Sequence, residues 1–346
     1  MSVRAVDWVD GPVPAIRLLD QTRLPFAEVM IEAATVDVLV DAISRLAVRG
    51  APALGAVGAL AVVVAAAQAR REGWDDARLQ LEVRRVRDAR PTAVNLAWGV
   101  DRVLPYLTGG VEAVLAEAKQ VLVEDEAANR RLSTLGVDWL LERTGERPLR
   151  VLTHCNTGSL ATTAWGTALG MVRELRDRDL LQVVHVDETR PLLQGSRLTA
   201  WELRAEGIDH VVQVDAAAAS AILRGLIDVA VIGADRIAAN GDTANKIGSL
   251  GVALACADAG VPFVVAAPWS TVDLATPDGS GIAIEERAEE EVLSFGGVAT
   301  APAGSRGFNP AFDVTPARLI DAVATELGVA EPKRDPDMTR LQQVDA

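Results

Sequence analysis

The second half of the chain alternates short apolar runs with amphipathic windows, and this alternation restricts the possible folds more than any other feature. From Arg150 onward, runs such as Val229–Gly233 are followed by windows with helical periodicity such as Ile247–Ala259. Parallel sheets produce this pattern because their strands are buried on both faces and joined by crossover helices. We therefore predict a Rossmann-like, doubly wound parallel sheet in which strands and helices alternate as Arg150–His154, Ser159–Arg176, Gln182–Asp187, Ser196–Glu206, His210–Val214, Ala216–Leu226, Val229–Gly233, Ile247–Ala259 and Pro262–Ala266.

The first half of the chain has a different pattern, with apolar residues every three to four positions and only weak strand signals. One candidate strand, Ala15–Leu19, precedes this helical region. We predict the fold class α/β, with a mainly helical N-terminal domain over 1–129, the Rossmann-like domain over 130–330, and a poorly packed tail over 331–346 that is rich in Pro and charge. The predicted N-terminal helices are Thr35–Arg49, Pro52–Glu72, Asp75–Ala89, Val94–Tyr106 and Gly110–Glu124.

The uncharged stretch from Gly50 to Ala69 is long enough to cross a membrane, but its composition favours a buried helix. It consists mostly of Ala, Gly and Val, and nothing else in the chain resembles a membrane segment. The amino terminus carries charges where a signal peptide would have an apolar segment, so export is not expected. Because Cys155 and Cys256 are the only cysteines, there is no disulfide framework, and we expect a cytoplasmic protein.

The charge balance excludes some classes of partner. The chain has 34 Lys and Arg against 48 Asp and Glu, which gives a net charge of −14. Sequence-independent nucleic-acid binding and binding to an anionic membrane both need an electropositive surface, so neither partner is expected. Any small anionic ligand must therefore be bound by a local cationic site.

The residues that follow the predicted strands are polar, and they predict where a ligand binds. Open parallel sheets bind ligands outside the carboxyl ends of their strands. Cys155 lies between the first of these strands and the predicted helix that follows, where a helix dipole would favour its thiolate. It is a candidate base or nucleophile, and the alternative is a small buried apolar residue. Cys256 lies in an apolar window and is expected in the core.

Asp235 ends another apolar run, and its surroundings are expected to be apolar. Such surroundings would raise the pKa of its carboxyl and suit it to donate a proton. The structural alternatives, a helix cap or a partner for Arg236, have equal weight on residue type and position alone.

Several segments have the composition of a phosphate site. Arg49, Gly50 and Ala51 open an Ala-rich helix, and a glycine turn with free N–H groups beside an arginine can bind an anion. Asn245 and Lys246 repeat this arrangement before a second predicted helix. Further candidates that could complete the site are Arg90 and Gln194.

Other chemistries find little support in the sequence. The chain lacks the G-x-x-x-x-G-K-[ST] and G-x-G-x-x-G nucleotide motifs and the G-x-S-x-G hydrolase motif. Its three histidines lie at predicted strands, and no spacing suits a zinc site. We therefore predict no metal site and no nucleotide or dinucleotide enzyme of the usual kinds, and we expect His154 to be packed or to orient Cys155.

Motifs spread along nearly the whole chain carry a resemblance to a known family. They are Leu19–Thr22, Arg49–Gly55, Arg90–Leu96, Thr153–Gly158, Glu188–Pro191, Gln194–Leu203, Gly233–Arg236, Asn240–Asp242, Asn245–Gly248, Ile284–Arg287 and Asn309–Pro316. Together they resemble the methylthioribose-1-phosphate isomerase family, which shares its fold with the regulatory α, β and δ subunits of a eukaryotic translation initiation guanine-nucleotide exchange factor. One departure is the basic loop Ala303–Phe308, where the family more often has a Gly-Val segment.

The resemblance implies a cofactor-free homodimer of the methionine salvage pathway that converts 5-methylthioribose 1-phosphate to 5-methylthioribulose 1-phosphate. It implies that Cys155 and Asp235 are the catalytic pair. We hypothesise that Asp235 protonates the ring oxygen while Cys155 moves a proton between C2 and C1; a hydride shift is the alternative. The residues that it assigns to the substrate and its phosphate are Arg49, Gly50, Ala51, Arg90, Gln194, Asn245 and Lys246.

Two kinds of rival function remain open at the level of sequence. Within enzymes, the substrate could instead be ribose 1,5-bisphosphate, which needs extra cations around C5, or 5-deoxyribose 1-phosphate. From another class, the rival is a non-catalytic regulatory subunit related to the translation factor. Because both Cys155 and Asp235 are present with a full set of phosphate-binding candidates, the sequence favours the enzyme.

Overall fold

The computed structural model describes residues 4–90 and 94–343, so Pro91, Thr92 and Ala93 of one predicted motif lie outside the described residues. The chain forms two compact units. The segment that follows Cys155 and Asn156 belongs with the first unit, although the residues on both sides of it belong with the second. Unit 1 consists of Met1–Arg130 and Thr157–Gly166, and unit 2 consists of Arg131–Asn156 and Thr167–Ala346.

Unit 1 combines helices with a small antiparallel sheet of three strands in the order of the chain. The side chain of Thr35 accepts a hydrogen bond from the amide of Val38 and caps one helix, and Asp75 caps another through the amide of Arg78. The strands are β1 (Val6–Val9), β2 (Ala15–Leu19) and β3 (Met30–Ala33), and the helices are α1 (Val36–Ser44), α2 (Ala51–Glu72), α3 (Asp76–Arg87), α4 (Val94–Val103) and α5 (Val111–Thr144), the last continuing into unit 2.

Helix α2 is the core of unit 1. Among the described residues it is the one helix long and apolar enough to span a membrane, and most of it is buried inside the protein. Small residues let a neighbouring helix approach closely: a Cβ on Gly99 of α4 would lie 1.9 Å from the carbonyl oxygen of Gly55. The interpretation of this stretch as a core helix is confirmed.

Unit 2 holds the other sheets and the crossover helices. A π turn, Gly195–Thr199, precedes one of these helices. Its strands are β4 (Leu149–Thr153), β5 (Leu181–Asp187), β6 (His210–Gln213), β7 (Val229–Ile232), β8 (Arg236–Ala238), β9 (Thr243–Lys246), β10 (Phe263–Ala266), β11 (Val272–Asp273), β12 (Ser294–Phe295), β13 (Val298–Ala299), β14 (Phe312–Thr315), β15 (Ala322–Thr325) and β16 (Gly328–Ala330). Its helices after α5 are α6 (Ala168–Asp177), α7 (Ala200–Ala205), α8 (Ala217–Leu223), α9 (Ser249–Ala259) and α10 (Glu290–Leu293).

The main sheet has the order β16-β15-β10-β7-β4-β5-β6, and all its pairs are parallel except the edge pair of β15 and β16. Alternate residues of a central strand pack on opposite faces. Val229 and Val231 of β7 belong to the core cluster that contains Leu169 of α6. Ala230 and Ile232 belong to the cluster on α8 and α9. Helices thus cover both faces, and the predicted fold class is confirmed.

A second, four-stranded sheet has the order β11-β8-β9-β14. Its strands β8 and β9 form an antiparallel hairpin directly after β7, with Arg236 opposite Ala244. The sequence pattern does not predict this sheet, because its strands are only two to four residues long and lack an apolar run.

The five predicted strands are confirmed, but one predicted helix is wrong at its start. Ser159–Arg176 is helical only from Ala168, because Thr157–Gly166 forms an irregular segment that belongs to unit 1. There, the Thr162 hydroxyl bonds the carbonyl of Gly158 and the amide of Gly166, which has a φ of 84°. Side-chain bonds of this kind compete with helix formation.

The chain ends differ from expectation as well. The tail over 331–346 is predicted to pack poorly, yet among its described residues Met338 and Leu341 are buried in the core of unit 2. Glu331 accepts a 2.8 Å hydrogen bond from the indole of Trp139. Helix α5 continues to Thr144, 20 residues beyond the predicted Glu124. Strand β2 confirms the candidate strand, which has two antiparallel neighbours instead of standing alone.

Candidate active site

The strand order places the site at the centre of the main sheet. From β4, the chain continues outward through β5 and β6, and then returns to the opposite side of β4 as β7. The side of β4 on which the chain adds strands therefore changes between β4 and β7, which are themselves parallel. Such a switch point opens a crevice at the carboxyl ends of the two strands. Cys155 follows β4, and Asp235 follows β7. The two predicted catalytic residues thus follow the two strands that flank the switch point.

Cys155 is buried, and its backbone has a φ of 64°, which is unusual for a residue with a Cβ. Strand β4 ends at Thr153, and the next helix begins only at Ala168, so Cys155 is not at a helix start. The prediction that a helix dipole acts on its thiol is therefore wrong. The amide of Cys155 donates to Thr189 Oγ1 at 2.8 Å, and Thr199 Oγ1 donates to its carbonyl oxygen at 2.7 Å.

His154, directly before the thiol, is fully buried and tied on both sides of its ring. Its Nδ1 lies 3.0 Å from Asp187 Oδ2, and its Nε2 lies 2.8 Å from the carbonyl oxygen of Ile247. Burial alone disfavours a charged ring, but the hydrogen bond and charge of Asp187 outweigh burial and raise the pKa of His154. A protonated ring donates to both oxygens, so His154 joins the ends of β4, β5 and β9.

One cluster in the described part of the chain has metal-ligand composition. His154, Asp187 and Asp215 each place a ligand atom within 4.8 Å of the others. The carboxylate of Asp215 already accepts 2.7 Å hydrogen bonds from the amides of Thr189 and Arg190, and Asp187 faces the imidazole ring. A metal would have to displace these donors. The cluster therefore fits a hydrogen-bonded support for the loop after β5 better than a cation site.

Asp235 is exposed in the chain alone, so the predicted apolar burial of its carboxyl is absent. Its amide donates to the carbonyl oxygen of Ala244 at 2.9 Å, at the base of the β8–β9 hairpin. Of the structural alternatives, a helix cap is excluded, because a strand follows Asp235 instead of a helix. The position of Asp235 after β7, at the switch point, is the reason to assign it a role.

The second strand of the same hairpin ends with Asn245 and Lys246. Asn245 is buried and donates to Ser249 Oγ at 2.8 Å, and Lys246 donates to the carbonyl oxygen of Ala311 at 2.9 Å. The predicted anion cradle at the start of α9 is already occupied, because the carboxylate of Asp313 accepts hydrogen bonds from the backbone amides of Gly248 and Leu250. The hairpin brings Asn245 and Asp235 to neighbouring strand ends.

Gln194 lies at the start of the π turn and is buried. Its Oε1 has no hydrogen-bond partner among residues 4–90 and 94–343. Next to it, Gly195 packs so closely on β5 that a Cβ would lie 1.7 Å from the carbonyl oxygen of Asp187. Buried polar atoms are rarely left without a partner, so this oxygen is available to a ligand donor.

In unit 1, the start of α2 carries further residues that the sequence predicts to bind phosphate. Gly50 has a φ of 94°, and a Cβ there would lie 2.3 Å from the carbonyl oxygen of Ala161. That oxygen accepts the amide of Ala53 at 3.1 Å, and Pro52 has no N–H. Within the described ranges, the amides of Gly50 and Ala51 have no acceptor. These two adjacent donors suit an anion.

The structure thus groups the predicted residues into two sets. Arg49 and Arg90 are both half-buried in unit 1, Arg49 beside the α2 start and Arg90 in the turn region after α3. The sequence singles out neither Thr189 nor Thr199, because they contact Cys155 across 34 and 44 residues of chain. A hydroxyl residue directly after a predicted strand, as at Thr189, is the one available signal. The predicted site residues that belong to unit 2 all lie at the ends of strands or in the loops after them. They are Cys155, Asp235, Gln194, Asn245 and Lys246.

This chain belongs to the Initiation factor 2 subunit family, whose model matches residues 47–332. Among curated relatives, it is 49% identical to a methylthioribose-1-phosphate isomerase of an Anaeromyxobacter species, with 94% of each chain covered. It is 53% identical to a probable bifunctional methylthioribose-1-phosphate isomerase/methylthioribulose-1-phosphate dehydratase of Nocardia farcinica. That match covers 94% of this chain but only 58% of the longer relative.

Two solved structures with different names are similar to this chain over nearly its whole length. One is 5-methylthioribose 1-phosphate isomerase from Pyrococcus horikoshii, with a TM-score of 0.89, 34% identity, and 99% and 96% of the two chains covered. The other is the delta subunit of translation initiation factor eIF-2B from A. fulgidus, with a TM-score of 0.86, 39% identity, and 99% and 100% covered. The fold is therefore common to a protein named as an isomerase and a protein named as a translation initiation factor subunit, and the site must distinguish them.

Proposed function

We propose that this chain is an aldose–ketose isomerase that converts 5-methylthioribose 1-phosphate to 5-methylthioribulose 1-phosphate in methionine salvage. The observation that carries the proposal is the placement of Cys155 and Asp235 after the two strands that flank the switch point. The names of relatives about half identical to this chain support the same reaction.

The substrate sets a specific chemical problem. Its anomeric carbon carries a phosphate, so the sugar ring cannot open spontaneously to a free aldehyde as in ordinary aldoses. The enzyme must break the bond between C1 and the ring oxygen before hydrogen can move from C2 to C1. This requires one group that donates a proton to the ring oxygen and one that transfers hydrogen between the carbons.

The two residues can complete this cycle without a co-reactant. Asp235 donates its proton to the ring oxygen as the bond to C1 breaks. The thiolate of Cys155 then removes the proton from C2, which leaves an enol whose double bond joins C1 and C2. Cys155 returns a proton to C1 while the hydroxyl on C2 gives its proton to Asp235. Both groups end in their starting states, and the product is a ketone at C2.

The exposure of Asp235 has a mechanistic consequence. A carboxyl in water is ionised near neutral pH and cannot serve as an acid. Asp235 must therefore be covered when the substrate binds, because desolvation favours the protonated form. The apolar methylthio group of the substrate is suited to exclude this water.

The phosphate needs donors, and the chain offers two kinds. We assign it to the open amides of Gly50 and Ala51 together with the cations Arg49 and Arg90, as the family resemblance implies. One guanidinium group can donate two parallel hydrogen bonds to a phosphate, and the amides at a helix start add a fixed partial positive charge. The remaining substrate contacts are assigned to Gln194, Asn245 and Lys246.

Turnover of a substrate panel tests the proposal. The purified chain should isomerise 5-methylthioribose 1-phosphate faster than ribose 1,5-bisphosphate or 5-deoxyribose 1-phosphate. If none of the three is converted, the result would contradict the isomerase and support a non-catalytic subunit related to the translation factor. Deuterium from the solvent should appear at C1 of the product; its absence would favour a hydride shift, unless the base is fully shielded from water.

We also propose a cytoplasmic homodimer. Strand β6 is the edge of the main sheet, and its Val211 and Val212 are exposed. An apolar edge strand promotes association, so natural proteins cover such edges. Light scattering should give twice the mass of the chain, and a monomer at micromolar concentration would contradict the dimer. Cell fractionation tests the location.

A further inference from the structure

The backbone of Cys155 is held in a conformation that its residue type disfavours. Its φ of 64° lies in the left-handed region, where a Cβ clashes with the backbone. Such residues persist only where surrounding contacts fix them, and they concentrate at functional sites. The direction in which the thiol leaves the backbone depends on this conformation, so the contacts that hold it also aim the sulfur.

Two hydroxyl groups supply those contacts from both sides of the residue. Thr189 Oγ1 accepts the amide of Cys155 at 2.8 Å and donates its own proton to the carbonyl oxygen of Asp187 at 2.9 Å. Thr199 Oγ1 donates to the carbonyl oxygen of Cys155 at 2.7 Å and accepts a hydrogen bond from the side-chain Nδ2 of Asn156 at 3.2 Å. Each hydroxyl has one proton to donate and lone pairs that accept, so each threonine donates one of its two hydrogen bonds and accepts the other.

The two threonines lie near the start and at the end of one compact loop after β5. The amide of Leu193 donates to the carbonyl oxygen of Thr189 at 2.8 Å, and Thr189 itself has a φ of 65°. Close packing of Gly195 on Asp187 fixes the middle of the loop. Gln194 lies between the two threonines, so one rigid element carries a substrate-binding candidate and both contacts to Cys155.

We propose that Thr189 and Thr199 are positioning residues that clamp the backbone of Cys155 and thereby aim its thiol at the sugar. The assignment rests on the proposed function, in which Cys155 moves the proton. Neither threonine reacts, and the loop sets the geometry of the thiol and of Gln194 together. A misplaced base slows proton transfer more than it weakens substrate binding.

Valine variants test the clamp because valine has nearly the shape of threonine but lacks the hydroxyl. In Thr189→Val and Thr199→Val, kcat should fall at least about tenfold while KM changes less than about threefold. Thr189→Ser and Thr199→Ser keep the hydroxyl and should restore most of the rate. The rate of Cys155 modification by methyl methanethiosulfonate, followed by mass spectrometry from pH 6 to 10, should change in the valine variants, with Cys256 as the internal reference.

Thr325→Val is the matched control. Thr325 is buried, accepts the amide of Leu327 and donates to the carbonyl oxygen of Gly328, but it lies at the end of β15. Its valine variant should keep the wild-type kcat. The clamp is overturned if the Thr189 and Thr199 valine variants stay within twofold of wild type, or if Thr325→Val loses as much.

Two further measurements keep the outcomes distinct. The wild-type amide of Cys155 should exchange slowly with deuterium, and rapid exchange overturns the clamp even if the valine variants do not fold. If the wild type converts no pentose 1-phosphate, the proposed function fails by itself. The clamp is then supported if the Thr189 and Thr199 valine variants change the modification rate of Cys155 and Thr325→Val does not. It is overturned if they leave that rate unchanged.

Discussion

His154 Nδ1 lies 3.0 Å from Asp187 Oδ2, with both side chains about 1% exposed. This buried pair connects β4, which precedes Cys155, to β5, which precedes the loop that carries Thr189 and Thr199. Removing one partner of a buried ion pair leaves the other charge uncompensated and costs about 3–5 kcal/mol. The pair therefore contributes to the geometry of the site through stability.

The pH dependence of stability should report this pair. The pKa of His154 is raised above 6.5 in the folded chain, so its contribution is complete below pH 6.5 and is lost as pH rises through the folded value. The difference in unfolding free energy between wild type and His154→Gln should therefore be larger at pH 6 than at pH 9.

Chemical denaturation at the two pH values measures this difference. His210→Gln is the control, because the ring of His210 bonds the carbonyl oxygen of Ile208 and no carboxylate within the described ranges. A difference that is the same at both pH values for His154→Gln would show that folding does not raise the pKa of the ring.

Loss of either reacting group should abolish most turnover. Cys155→Ser replaces the thiolate with a much weaker base, and Asp235→Asn cannot donate an acidic proton. Each should reduce kcat at least about a hundredfold, since general acid–base catalysis contributes that much or more. Steady-state kinetics measures the loss, and Cys256→Ser should keep the wild-type rate because burial raises the pKa of that thiol to about 12. A near-normal rate in either active-site variant removes that residue from the mechanism.

The start of α2 should tolerate no side chain at Gly50. Gly50→Ala places a Cβ against the carbonyl oxygen of Ala161 and imposes the strain of a φ of 94°, so the amides meant for the phosphate must move. We expect KM for the sugar phosphate to rise at least about tenfold. Gly73→Ala is matched, because Gly73 has a φ of 68° but open space around it. An equal KM for both variants would show that the α2 start does not bind the phosphate.

Apolar periodicity predicts the main sheet and most helices because burial on both faces of a parallel sheet leaves a strong local pattern. It predicts Cys155 and Asp235 because polar residues after buried strands are easily seen. It cannot reveal the segment from Thr157 to Gly166, whose conformation depends on bonds to unit 1 such as that from the side chain of Gln21 to the carbonyl oxygen of Leu160. The prediction of a helix dipole at Cys155 is wrong for the same reason, because this segment is not helical and the next helix begins only at Ala168.

The remaining misses also come from contacts distant in sequence. The anion cradle predicted at α9 is filled by Asp313, which lies 65 residues from Gly248 along the chain. The hydroxyls that hold Cys155 are equally distant. Local pattern thus identifies the proposed reacting groups, whereas the groups proposed to position Cys155 are identified only when the strands are assembled.

Gln194 should be a residue that lowers stability and improves binding. Its buried Oε1 has no partner in the described part of the chain, and burying an unsatisfied acceptor costs about 1–3 kcal/mol. Gln194→Leu removes that cost, so the melting temperature should stay the same or rise while KM rises about tenfold or more. Gln213→Leu is the control. The side-chain amide of Gln213 forms hydrogen bonds with both Asp187 and His185, so this substitution should lower the melting temperature. Calorimetry and steady-state kinetics on both variants decide the point: a Gln194→Leu protein that melts lower and keeps the wild-type KM would make Gln194 a structural residue.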